Sequence, residues 1–140
     1  MADEKSIELI KKLISFDTTS RESNLELIEF IQVYLDELGV ESQLIKNEAG
    51  SKANLYATVG DLDTPGVMLS GHTDVVPVDG QEWDTDPFQA IQNGNRLYGR
   101  GTSDMKSFIA ITLSQLPKFQ KRGLKTPIHL AFSYDEEIGC

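Results

Sequence analysis

Hydrophobic segments of helical and of alternating period follow one another along this chain. That alternation predicts an α/β fold: a layered sheet with helices on both faces. Two further observations support the class. Glycine, proline and asparagine clusters separate the apolar segments at lengths suited to single helices or strands. Carboxylate-rich stretches follow two of the strand segments, where open α/β sheets build their sites. With 140 residues the chain can form one domain with a real core.

Residues 3–16 set Ile7, Ile10 and Ile14 on one helical face, widened by Leu9, Leu13 and Phe16. Thr19-x-x-Glu22 and Ser23-x-x-Glu26 are both capping-box patterns and predict a second helix. Its stripe is Leu27, Ile28, Ile31, Leu35 and Leu38, and Gly39 marks its stop. Strands are expected over 40–46, 53–59 and 67–71, with turn chemistry over 47–52 and at Gly60-Asp61. Residues 78–87 read as loop, and 88–98 as a hairpin around Asn93-Gly94-Asn95. A buried helix is expected over 104–122, with Ile109, Leu113 and Leu116 at helical spacing, and Pro117 should kink or end it. The last strand runs over 127–134 into Asp135-Glu136-Glu137.

Acidic side chains outnumber basic ones 22 to 13, for a net charge of -9, which argues against nucleic acid as a partner. Nothing approaches the length of a membrane span, and the first residues carry no basic region followed by an apolar one. The single cysteine, Cys140, excludes an internal disulfide framework, and nothing marks it as reactive. The expectation is a soluble, cytoplasmic chain.

Chemistry concentrates in three stretches. Ser70-Gly71-His72-Thr73-Asp74-Val75-Val76-Pro77 ends a strand, and in extended chain His72 and Asp74 point to the same side. That spacing suits an imidazole ligand steadied by a carboxylate. Leu97 to Lys106 places Asp104 at the opening of the buried helix, with Gly99 and Gly101 allowing close backbone approach. Glu136-Glu137 follow the last strand. Taken singly, each has a plainer reading: a strand-end His–Asp pair, a carboxylate at a helix N-terminus, a solvated acidic loop. Asp84 and Asp86 read as loop capping groups, Trp83 and Phe88 as packing residues, and His129 as a structural histidine inside a strand. Together the stretches supply one imidazole and four carboxylates. Those carboxylates would repel one another unless cations lay between them, and imidazole with carboxylates suits zinc or cobalt. Adjacent glutamates can divide ligation from general-base work.

These stretches resemble the three N-terminal motifs of the zinc aminoacylase and carboxypeptidase superfamily: Gly71 to Pro77, Tyr98 to Lys106, and Asp135-Glu136-Glu137. Ser70 to Trp83 and Tyr134 to Cys140 look most like the branch that removes acetate from N2-acetyl-L-ornithine. Succinyl-diaminopimelate desuccinylases and dipeptidases are its sisters. The resemblance implies that His72, Asp104 and Glu137 hold metal, with two zinc ions per complete site and cobalt as an alternative. It implies that Asp74 orients His72, that Glu136 is the base, and that the Asp104–Met105 peptide is cis. Ser107 departs from the glycine usual at its position. The resemblance also implies that residues 1–140 are the N-terminal part of the catalytic domain. A lid or dimerisation domain, further ligands and a homodimer would then belong to a longer protein, and the 140 residues alone would be inactive. A non-catalytic binding or assembly fragment is the alternative of another class. The presence of Glu136 argues against it, because a scaffold needs no base there.

Overall fold

The computed structural model describes residues 3–139, so Cys140 lies outside the described residues. Helix α1 (Glu4–Ile14) begins where Asp3 accepts the Ser6 amide at 2.8 Å. Helix α2 (Leu25–Glu37) follows. Neither expected capping box forms there. The cap position is Asn24, and Ser23 Oγ accepts only the Leu25 amide, at 3.1 Å. Asn24 spends its side chain on β2 instead: its amide donates to the Ala53 carbonyl and its carbonyl accepts the Ala53 amide, both at 2.9 Å.

The remaining elements are β1 (Ser42–Lys46), β2 (Ala53–Val59), β3 (Val67–His72), the hairpin β4 (Ile91–Asn93) with β5 (Arg96–Tyr98), α3 (Lys106–Lys121) and β6 (Ile128–Ser133). The main sheet has the order β1-β2-β6-β3. β1 and β6 pair antiparallel with β2, and β3 pairs parallel with β6.

In β2 and β6, Leu55 pairs with Phe132 and Ala57 with Leu130. These four side chains share one buried core with Leu13 and Ile14 of α1, Leu27 and Ile31 of α2, and Ile109 and Leu113 of α3. The alternate residues stand on the other face. There Thr58 pairs with His129, and His129 Nδ1 lies 2.9 Å from the Thr58 hydroxyl and 3.0 Å from that of Tyr56. His129 is thus a satisfied structural histidine, as its strand position suggested. The layered α/β class is as read from the sequence. Among the described residues, though, the helices bring their apolar stripes to one face of the sheet. The other face carries the mutually bonded Tyr56, Thr58 and His129 beside the exposed Ile45 and Met68.

Pro117 lies inside α3, which continues to Lys121. Of the two expected outcomes, a kink or an end, the helix does not end there. A proline at this position cannot bond the Leu113 carbonyl. The Tyr34 hydroxyl, reaching across from α2, donates to that carbonyl at 3.3 Å. Tertiary packing therefore satisfies the acceptor that the local sequence abandons.

Candidate metal centre

The parallel register of β3 and β6 sets His72 opposite Ser133, so both strands deliver their carboxyl ends to one place. Thr73 locks the junction: its amide and its hydroxyl both donate to the Ser133 carbonyl, at 2.7 and 2.8 Å. Beyond β6, Asp135 turns with φ 62 and a single 3₁₀ turn carries Glu136 and Glu137 back toward His72. The third stretch arrives through α3. Gly71 sits in a tight fit, since a Cβ would lie 3.1 Å from both Met105 Cε and Phe108 Cδ1 and those side chains would have to give way. That close fit of β3 on the start of α3 sets Asp104 beside His72. The Asp104–Met105 peptide is cis.

His72 is 6 % exposed and both its ring nitrogens face acceptors. Nδ1 lies 3.0 Å from the Asp74 backbone carbonyl and 3.3 Å from Asp74 Oδ1. Nε2 lies 3.0 Å from Asp104 Oδ1 and 3.7 Å from Glu136 Oε2. Burial opposes charge on the ring, but the Asp104 hydrogen bond, the Asp74 carbonyl and both carboxylate charges outweigh it and hold the pKa above its ordinary value. A metal ion would replace the Nε2 proton, while Nδ1–H stays on Asp74.

Asp74 is buried and its carboxylate is fully used. It accepts the Ser20 hydroxyl at 2.7 Å and the amides of Glu136 and Glu137 at 3.2 Å each. One residue thus serves both parts of the centre: its backbone carbonyl holds the imidazole, with the carboxylate beside it, and its carboxylate holds the turn that bears the two glutamates. The Glu137 carboxyl is pushed up, first by burial and then by the Asp104 charge, with His72 acting against the rise.

All five predicted site residues therefore meet at one end of the sheet. A ligand atom from each of His72, Glu136 and Glu137 lies within 4.8 Å of the others. Asp104 lies outside that trio, bonds His72 Nε2 and acts on Glu137 by its charge. An imidazole with two converging carboxylates is a donor set that fits a divalent ion such as zinc or cobalt. Asp86 caps its loop by accepting the Phe88 amide at 2.9 Å, as expected. The Trp83 ring lies under the Arg100 guanidinium at 5.4 Å.

Sequence reasoning missed three contributors. Ser20 holds Asp74. Lys52 reaches the Ser20 carbonyl and the Asp135 carboxylate. Lys106 is completely buried and its ammonium donates to the Phe16 carbonyl at 2.7 Å. Lys106 stood in the third stretch and was open to notice as a lysine at the start of an apolar helix. Lys52 carries no local signal, since its partners lie 32 and 83 residues away in sequence.

Comparison with known proteins agrees with this architecture. Residues 68–140, just over half the chain, match the family described as Peptidase family M20/M25/M40. A protein named acetylornithine deacetylase from Pasteurella multocida (strain Pm70) is 36% identical over 124 residues, covering 88% of this chain and 32% of the relative. Its namesake from Edwardsiella ictaluri (strain 93-146) is 40% identical over 118 residues, covering 83% of this chain and 30% of the relative. Among solved structures, an M20 family metallo-carboxypeptidase from Sulfolobus solfataricus superposes with TM-score 0.83 at 28% identity, covering 98% of this chain and 32% of the other. Human carnosine dipeptidase 1 shares the fold, with TM-score 0.82 at 22% identity over 97% of this chain and 33% of the other. The chain spans about a third of the length of the curated relatives it matches. No helix among the described residues is long and apolar enough to cross a membrane. The three motif stretches, their meeting at the ends of β3 and β6, and the family match agree: this chain belongs to Peptidase family M20/M25/M40.

Proposed function

We propose that this chain supplies the N-terminal part of a metal-dependent amide hydrolase catalytic domain, acting on N2-acetyl-L-ornithine to give ornithine and acetate. The convergence of His72, Glu136 and Glu137 within 4.8 Å carries the reading. The relatives' name, acetylornithine deacetylase, supports the substrate. A place in arginine biosynthesis, in the cytoplasm, is part of the same proposal. On this reading residues 1–140 are one part of a longer catalytic unit. Its lid or dimerisation domain and closing ligands belong to the remainder of a relative-length chain, which pairs as a homodimer.

His72, Glu137 and Asp104 would hold the metal, zinc in two copies per complete site or cobalt in its place. A bound divalent ion supplies Lewis acidity, lowering the pKa of a water molecule and polarising the amide carbonyl. The chain's own residues do the rest. Asp74 holds Nδ1–H of His72 and so keeps Nε2 directed at the centre. Glu136, whose side chain is exposed, takes the proton from the attacking water and passes it to the departing amine nitrogen. Glu137 adds charge as a ligand.

The test separates the two glutamates. In a relative-length chain carrying these residues, Glu136→Gln should keep its metal and lose about 10²–10⁴ of acetate release from N2-acetyl-L-ornithine. Glu137→Gln should lose metal. Equal depletion of metal in both variants would refute the division of roles. Faster release of succinate from N-succinyl-diaminopimelate than of acetate would refute the substrate and favour the sister activity. The 140 residues alone, with few closing ligands, should bind zinc weakly and hydrolyse neither compound.

A further inference from the structure

Lys52 sits just before β2, outside the three motif stretches. Its ammonium donates to the Ser20 carbonyl and to the Asp135 carboxylate, each at 2.5 Å, and lies 5.8 Å from the Tyr134 ring centroid. The Lys52 side chain is 14% exposed and that of Asp135 22%, whereas both partners of the Arg21–Asp79 pair are more than half exposed. Water screens the Lys52 pair far less than a surface pair.

The contacts close a ring. Lys52 holds Ser20 by its carbonyl, and the Ser20 hydroxyl donates to Asp74. Asp74 accepts the amides of Glu136 and Glu137. Asp135, the residue before them, returns the ring to Lys52. Among the described residues, Asp135 is the non-glycine residue with positive φ. An L-residue populates that region sparsely unless its surroundings hold it there, and aspartate tolerates it better than most. The left-handed turn is what directs the next two amides at Asp74.

We infer that Lys52 is a positioning residue for Glu136 and Glu137, acting through Asp135. The consequence for metal rests on the function proposed above; the clamp on the turn does not. Amide hydrogen exchange on this chain, followed residue by residue, tests the clamp. Lys52→Met should speed exchange at the Glu136 and Glu137 amides on the order of tenfold or more, while the Leu55 and Leu130 amides of the core stay protected. Lys52→Arg should restore protection. Unchanged exchange at both glutamate amides in Lys52→Met overturns the inference. If Lys52→Met loses protection everywhere, Asp135→Asn decides: selective loss at the glutamate amides supports the clamp, and retained protection overturns it. A cobalt titration followed by visible absorption adds the second reading. Lys52→Met should weaken binding on the order of tenfold and alter the absorption band, with recovery in Lys52→Arg. Cobalt bound by no variant, wild type included, would fail the metal reading alone, because the exchange data still decide the clamp.

Discussion

The candidate centre has two unlike halves. His72, Thr73 and Asp74 form a buried rung, in which Thr73 and Asp74 have partners far away in sequence and His72 Nδ1 rests on Asp74. Asp104 and Glu136 form a rim whose side chains are 72% and 56% exposed and which hold few bonds of their own. The rung is built by the same hydrogen bonds that close the fold, so it is set before any ligand arrives. On the proposed function the rim would supply charge and ligand oxygens. Orientation and chemistry are thus assigned to different residues of similar type, and the two halves should fail differently when altered.

The largest expected effect is at Asp74. Asp74→Ala strands the Ser20 hydroxyl and two amides in a buried space and leaves the His72 imidazole only the backbone carbonyl at position 74. Removing one partner of such a network costs about 3–5 kcal/mol. Glu136→Gln should change stability by less than about 0.5 kcal/mol, since the rim faces solvent. Denaturant unfolding of both variants checks the contrast. A cost below about 1 kcal/mol for Asp74→Ala would mean that the rung does not organise the centre.

The same contrast recurs within the third stretch, where Lys106 is buried two residues beyond the exposed Asp104. Burial pushes the Lys106 pKa down to about 7, against the Asp17 charge, which raises it. The unfolded chain keeps this lysine near its ordinary value of about 10.4. Between these values the unfolded state binds the extra proton, so stability rises with pH. The slope from Lys106 approaches about 1.4 kcal/mol per pH unit above pH 7. Thermal unfolding at pH 7 and pH 9 should show this rise, and Lys106→Met should remove it.

The sequence made the elements legible where periodicity was strong. The strand over 53–59 has the observed bounds of β2, and the hairpin forms around Asn93 and Gly94. It left α3 open at Pro117 between a kink and a stop, because the Tyr34 hydroxyl that satisfies the Leu113 carbonyl lies on another helix. It misjudged the start of α2, because Asn24 is committed to β2. Asp74 was legible as a partner of His72, from a spacing of two residues. Its larger role, gathering the glutamate turn, depends on the β3–β6 register, which no local pattern specifies. Ser20 and Lys52 were invisible for the same reason.

The smallest effect on stability is expected at Asp104, and it sharpens the distinction most. Asp104→Asn keeps the size of an exposed side chain and removes its charge, so unfolding free energy should move by less than about 0.5 kcal/mol at neutral pH. The imidazole should nevertheless respond. Asp104 is the leading contact that raises the His72 pKa against burial, with the Asp74 carbonyl and carboxylate behind it. Its loss should lower the titration midpoint of His72, read by NMR in metal-free protein. The sign for stability follows from the raised folded value. His72 contributes fully below its ordinary pKa of about 6.5, and the contribution fades as pH climbs through the higher folded value. In Asp104→Asn that fading should begin at lower pH. On the proposed function metal competes with protons for the same ring nitrogen, so in Asp104→Asn cobalt binding at mildly acidic pH would lose a ligand but meet less proton competition. A His72 midpoint unmoved by Asp104→Asn would assign the raised value to Asp74 alone, and the imidazole would then belong electrostatically to the rung rather than standing between the two halves.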